Sequence, residues 1–136
     1  MKAKILIIDD DVVSWHWLSS VLRPRDYHTV WSADGMQAIG DVRKHQPHVI
    51  LLDLGLPGGD GFVVLERLKC NIQLSKIPVI VVTVRAREEA EEKSLKLGAA
   101  DYIEKPAKVE QLLAAVERVL APPDRLMKVG EVFILT

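Results

Sequence analysis

The acidic residues Asp9, Asp10 and Asp53 each stand where a short apolar run ends, as does Thr83, and Lys105 follows directly on another such run. Carboxylates a few ångströms apart repel by about 1 kcal/mol per pair in water and several-fold more when partly buried, so a cluster of them calls for a cation. A hard divalent ion with oxygen ligands suits that need, and Mg²⁺ keeps several waters while using only one or two carboxylates. No His or Cys pair at metal-ligand spacing lies nearby, which argues against zinc. His16, His28, His45 and His48 are scattered and read as solvated side chains. Lys105, followed by Pro106, reads as a point charge aimed at anionic oxygens. Thr83 can hydrogen-bond an incoming oxyanion. A carboxylate beside Mg²⁺, an ammonium and a hydroxyl is a site for phosphoryl transfer to that carboxylate, the protein supplying mostly position and charge neutralisation. Taken singly, each residue has a plainer reading. An Asp at a strand end is usually a cap or turn residue, as Asp11 is expected to be at the first helix. A lone Lys is usually on the surface, and Thr is an ordinary strand residue.

What gathers these groups is the frame between them. Short strand-like runs occur at 4–9, 28–31, 49–53, 78–83 and 101–104. Helical spacing fills the stretches at roughly 12–22, 34–45, 61–71 and 86–97. It is clearest in the last helix, where Val109, Leu112, Leu113, Val116 and Leu120 share one face. Asp34 and Asp60 are placed to cap the second and third helices, and Gly98 follows the fourth where a left-handed residue is wanted. The first, third and fourth strand runs are apolar throughout, as strands covered on both faces are. Repeated strand–helix units predict an α/β fold with a parallel sheet between two helical layers. The strand ends then lie along one edge, and ligands bind in the crevice outside it.

The 136 residues favour one core, and 49% hydrophobic with 27% charged residues is a globular mixture. A net charge of −1 gives no global attraction to nucleic acid or membrane. Cys70, the single cysteine, excludes an internal disulfide, points to a reducing compartment and is expected to be a nearly buried apolar side chain. Neither a signal peptide nor a membrane span is read, so a cytoplasmic domain over 1–121 is expected. After Leu120 comes APPDRLMKVGEVFILT, of which residues 122–136 read as a linker and a strand-like tail: an edge strand, a docked tail, or the start of a truncated output domain.

Asp9-Asp10, Asp53, Thr83 and Lys105-Pro106, with the loop LLDLGLPGGDG and the segment LGAADYIEKP, closely resemble the receiver domain of bacterial two-component response regulators. Pro57, four residues after Asp53, and Asp60-Gly61 at the next helix add to the pattern, which runs from about Lys4 to Leu120. The resemblance implies a flavodoxin-like (βα)₅ three-layer sandwich with strand order 2-1-3-4-5. It implies that Asp53 accepts a phosphoryl group from a sensor histidine kinase or phosphotransfer protein. Mg²⁺ would be held by Asp10, Asp53 and the backbone carbonyl of Gly55, with Asp9 acting mainly through water. Thr83 and Lys105 would contact the phosphoryl oxygens. Thr83 and Tyr102 would switch the helix 4–strand 5–helix 5 face, although Tyr102 alone reads as a half-buried aromatic with its hydroxyl in water. Lys105-Pro106 would be cis. Further implied partners are an output domain or downstream protein and a phosphorylation-dependent homodimer, with no nucleic acid bound by the receiver itself and no membrane.

Three departures from the family pattern stand out. Val84 replaces the usual Ala or Gly and would narrow access to the acceptor. Ala107 replaces the Phe common after Lys-Pro. Ala100, Ala115 and Glu117 stand where winged-helix regulators carry charged residues of their dimer face, which lends that output class no support and leaves it open. Trp15 and Trp17 fall on opposite faces of helix one, part of the kinase-docking surface in this family. One exposed Trp would anchor a partner there, or else pack against the tail. Two other functions compete. A phosphohydrolase with an aspartyl-phosphate intermediate usually wants a second acid two residues after the nucleophile, where Gly55 stands. A constitutive interaction scaffold would not need Asp10, Asp53, Thr83 and Lys105 intact. The leading reading is not an enzyme beyond self-catalysed phosphorylation and autodephosphorylation.

Overall fold

A computed structural model describes residues 2–56 and 60–121, and the backbone of two further strands, 126–129 and 132–135. Pro57 and the linker at 122–125 lie outside the described residues. The elements are β1 (Lys4–Ile8), α1 (Val12–Leu22), a 3₁₀ turn (Arg23–Arg25), β2 (His28–Ser32), α2 (Gly35–His45), β3 (Val49–Leu52), α3 (Gly61–Cys70), β4 (Val79–Thr83), α4 (Arg87–Lys96), β5 (Asp101–Glu104) and α5 (Val109–Leu120). The five strands are all parallel, in order β2-β1-β3-β4-β5, the flavodoxin-like arrangement. Strands β6 (Leu126–Val129) and β7 (Val132–Leu135) pair antiparallel in a sheet of their own, so the tail is not an added edge strand.

Alternation along the inner strands sorts their side chains into two cores. Leu6, Ile8, Ile50 and Leu52 pack with α2, α3 and α4 residues such as Ala38, Val42, Leu65, Leu68 and Ala90. Ile5, Ile7, Val49 and Leu51 face the other way, against Leu18 and Leu22 of α1 and Leu112, Leu113 and Val116 of α5. Every residue of β3 is 0–1% exposed. Complete burial of each such aliphatic side chain contributes roughly 1.5–3 kcal/mol, which holds the strand and whatever follows it in place.

Helices α1, α2 and α3 begin where their caps predict. Asp11, Asp34 and Asp60 accept from the amides of Val13, Met36 and Phe62 at 3.1, 2.7 and 2.9 Å. Gly98 has φ of +107°, where a side chain is strained. Cys70 corrects the sequence reading: it is exposed at the end of α3, because the buried face there is made by Val64, Leu65 and Leu68. None of the described helices is long and apolar enough to cross a membrane.

Candidate functional site

Asp9, Asp53, Thr83 and Lys105 each sit one step beyond a strand or at its last position, with Asp10 following Asp9, and ladder-like hydrogen bonds carry the strand geometry onto this edge. Ile8 and Leu52 are register partners, so the residues after them, Asp9 and Asp53, stand side by side. The Asp53 amide donates to Ile8 O at 2.9 Å and the Asp9 amide to Ser32 O at 3.0 Å. Thr83 ends β4, and the Lys105 amide donates to its carbonyl at 2.7 Å. Three strand ends and the residue after β5 are thereby locked along one edge, at the point where the strand order reverses between β1 and β3.

Asp9, Asp10 and Asp53 each present a carboxylate oxygen, all within 4.8 Å of one another. Asp9 is 2% exposed and Asp53 8%, whereas Asp10 faces solvent. Lys105 Nζ lies 2.7 Å from Asp9 Oδ2 and 3.6 Å from Asp53 Oδ2. One ammonium among three carboxylates leaves an excess of negative charge, which favours a further cation. The donor set is oxygen only and includes no described His or Cys, which fits a hard divalent ion and the acidic triad of a Mg²⁺ site. Gly55, offered in sequence as a backbone ligand, is exposed in the loop after β3, and its amide donates to Asp53 Oδ1 at 3.3 Å.

Behind the acids lies a second hydrogen-bonded group. Thr83 is fully buried, and its Oγ1 accepts from the Arg85 amide at 3.4 Å. The hydroxyl of Tyr102 donates to the Arg85 carbonyl at 2.6 Å. Tyr102 is only 1% exposed, so its hydroxyl is not in water, contrary to the plainer sequence reading. Burial, and then the nearby Glu104 carboxylate, raise the phenol pKa above its usual value. The Lys105-Pro106 bond is cis. Arg87 joins this region from α4, its amide donating to Glu104 Oε1 at 3.0 Å and its guanidinium to Tyr102 O at 3.0 Å.

The departures resolve in different ways. Val84 is 74% exposed just past β4. Ala107 helps line a groove of about 300 Å³ between α1 and the β5–α5 loop, with Val13, Trp17, Leu18, Val82 and Pro106, and Lys105 at its edge. Ala115 is 1% exposed and belongs to the core, so its lack of charge says nothing of a dimer face. The β5–α5 face does carry charge, because Arg118 pairs with Asp101. Trp15 is half-buried against the α1–α5 core, while Trp17 is 37% exposed.

Two participants escaped the sequence reading. The Arg85 backbone bridges Thr83 and Tyr102, a role with no side-chain signature. Trp31, register partner of Ile7 on β2, donates from Nε1 to the Asp9 carbonyl at 2.6 Å and stacks on Trp15 with centroids 5.0 Å apart. An aromatic residue near the end of the strand beside β1 was the available signal.

The family model for the response regulator receiver domain matches residues 5–117. Protein PilH of Pseudomonas aeruginosa is 33% identical over 119 residues, covering 88% of this chain and 98% of PilH. The DNA-binding response regulator MtrA of Mycolicibacterium smegmatis is 34% identical, covering 98% of this chain and 59% of MtrA, so the chain spans little more than half of that relative. The solved structure of Vibrio cholerae chemotaxis protein CheY4 superposes with a TM-score of 0.81 at 28% identity, covering 88% of this chain and all of CheY4.

Proposed function

Because the chain belongs to the response regulator receiver family of two-component signalling, we propose that it is a phosphoacceptor switch in which Asp53 takes a phosphoryl group from a phosphohistidine on a sensor kinase or phosphotransfer protein. The observation that carries this is the nearly buried Asp53 carboxylate at the end of β3, with Lys105 3.6 Å away and the carboxylates of Asp9 and Asp10 within 4.8 Å. A carboxylate oxygen of Asp53 attacks phosphorus. The P–N bond breaks as the P–O bond forms, and the departing imidazole takes a proton from solvent. Lys105 and Thr83 meet the phosphoryl oxygens, and Lys105 must then shift part of its attention from Asp9 to the new anion. Asp10, Asp53 and the Gly55 carbonyl would hold Mg²⁺, with Asp9 mainly through water; when bound, the ion neutralises charge on the phosphoryl oxygens.

The readout rests on the Thr83–Arg85–Tyr102 connection. Drawing Thr83 Oγ1 toward a phosphoryl oxygen releases the Arg85 amide, and the Arg85 carbonyl is what holds the Tyr102 hydroxyl. The helix α4–β5–α5 face responds through Arg87, which also bonds to the Tyr102 carbonyl. Val84 narrows access to the acceptor and slows exchange there. The groove at Trp17 and Ala107 receives an apolar side chain of the phosphodonor protein beside its histidine. The alignment with MtrA extends through the tail, which supports residues 122–136 as the start of an output domain of the DNA-binding kind.

Incubation with Mg²⁺ and a small-molecule phosphodonor, followed by intact mass measurement, tests the acceptor role. One phosphate on the wild type and none on Asp53→Asn is expected. No phosphate on the wild type, or equal labelling of the variant, would sink it. Turnover of an added phosphoester would favour a phosphohydrolase instead.

A further inference from the structure

We propose that Trp31 is a positioning residue for the acidic pocket, holding the peptide that joins Asp9 to Asp10 in the orientation a divalent ion needs; this rests on the Mg²⁺ reading given above. Asp9 is fixed at four points. Its amide donates to Ser32 O at 3.0 Å. Its Oδ1 accepts from the Asp11 amide at 2.9 Å and its Oδ2 from Lys105 at 2.7 Å. The fourth point is the carbonyl, which accepts from Trp31 Nε1 at 2.6 Å. That carbonyl belongs to the Asp9–Asp10 peptide. Because a peptide unit is planar, fixing the oxygen also fixes the N–Cα axis from which Asp10 projects.

Asp10 needs such support. It lies beyond the end of β1 and before α1 begins at Val12, and it is exposed. The indole can supply the support because it is itself held. Trp31 stacks on Trp15 with an interplanar angle of 25°. Trp15 in turn packs against the α1–α5 core, with the Arg23 guanidinium 5.9 Å from its ring centroid. Trp15 Nε1 is buried with no hydrogen-bond partner among the described residues, so Trp15 contributes through its ring face alone. The stack thus runs from the core to the carbonyl between two carboxylates. A preformed site spares the ion the cost of ordering its ligands. Mg²⁺, which demands near-octahedral geometry, gains more from this than Ca²⁺, whose coordination is flexible.

The test is calorimetric titration of the unphosphorylated protein with Mg²⁺ and separately with Ca²⁺, beside urea unfolding of each variant. Trp31→Phe keeps a ring for the stack and removes the donor. It is expected to weaken Mg²⁺ binding roughly three- to tenfold, the range for one hydrogen bond, with a smaller loss for Ca²⁺. Trp15→Ala should weaken Mg²⁺ in the same sense, and Trp15→Phe should restore most of the affinity. Unchanged Mg²⁺ affinity in Trp31→Phe, where the wild type binds and Asp10→Asn does not, overturns the positioning role and leaves the metal site standing. An equal loss for both ions that tracks a fall in urea midpoint also overturns it, as a general structural effect. Failure of the wild type to bind Mg²⁺ overturns the site reading and this inference with it.

Discussion

Lys105 reaches across the sheet edge from β5 to β1, placing its ammonium 2.7 Å from the buried carboxylate of Asp9 while standing 3.6 Å from Asp53. The Lys105 side chain is only 15% exposed, so little solvent screens these contacts. Lys105→Met leaves three carboxylates with no organic cation among them. Loss of one partner from a buried pair costs up to about 3–5 kcal/mol, and the partial solvation of Asp10 places the expected loss near the lower end. Urea unfolding without metal should show it. Millimolar Mg²⁺ should recover more stability in the variant than in the wild type, since a second cation can neutralise the same acids. An equal Mg²⁺ effect in both proteins would contradict the shared role.

Tyr102→Phe removes the donor to the Arg85 carbonyl and should cost about 1 kcal/mol at pH 7. Chemical phosphorylation of Asp53 should proceed at an unchanged rate while the response of the α4–β5–α5 face, read by amide chemical shifts, is reduced. The pH dependence has a definite sign. Burial and Glu104 raise the phenol pKa in the folded state, so above pH about 10 the unfolded chain ionises first. Wild-type stability therefore falls as pH rises from that point to the folded pKa, and the Phe variant should fall less steeply. Parallel curves for the two proteins would show that Tyr102 is not so perturbed.

Gly61 opens α3 against the acceptor loop. A Cβ there would lie 2.4 Å from Leu54 Cα and 2.5 Å from the Asp53 carbonyl oxygen, backbone atoms that cannot yield cheaply. Gly61→Ala should cost roughly 1–3 kcal/mol, as overpacking does. It should also slow phosphorylation, because the yielding atoms belong to the acceptor residue and its neighbour. A normal rate in a destabilised variant would show that the loop absorbs the shift without moving the carboxylate.

The parts of this site that are legible from sequence are those set by strand order and local chemistry. Asp9, Asp53, Thr83 and Lys105 end up together because parallel strands terminate on one side, and Asp11, Asp34 and Asp60 cap helices through contacts two residues away. What stayed hidden depends on side-chain direction across long separations. The Trp31–Asp9 bond joins residues 22 apart and the Tyr102–Arg85 bond joins residues 17 apart, each ending on a backbone carbonyl that no residue type marks. Cys70 was misread because composition favours burial, while its place in the last turn of α3 turns it to solvent. One position along α5 separates core from surface, a distinction spacing alone does not fix for a residue as small as alanine: Ala115 is buried and Ala114 exposed.

Trp17→Ala should leave phosphorylation by a small-molecule donor unchanged and reduce the rate from a phosphohistidine protein at least severalfold, as truncation of an aromatic anchor at an interface does. Its exposure of 37% predicts little loss of fold stability. Equal rates from the protein donor before and after substitution would remove the α1 groove as a docking surface.

The acceptor itself can be read chemically. An acyl phosphate is reduced by borohydride to an alcohol, so a phosphorylated aspartate becomes homoserine, which peptide sequencing by mass spectrometry locates. After treatment with Mg²⁺ and a phosphodonor, homoserine is expected at position 53 and at no other Asp, and its yield should collapse without Mg²⁺. Homoserine at Asp9 or Asp10, or none anywhere on a chain that has gained phosphate, would contradict the account.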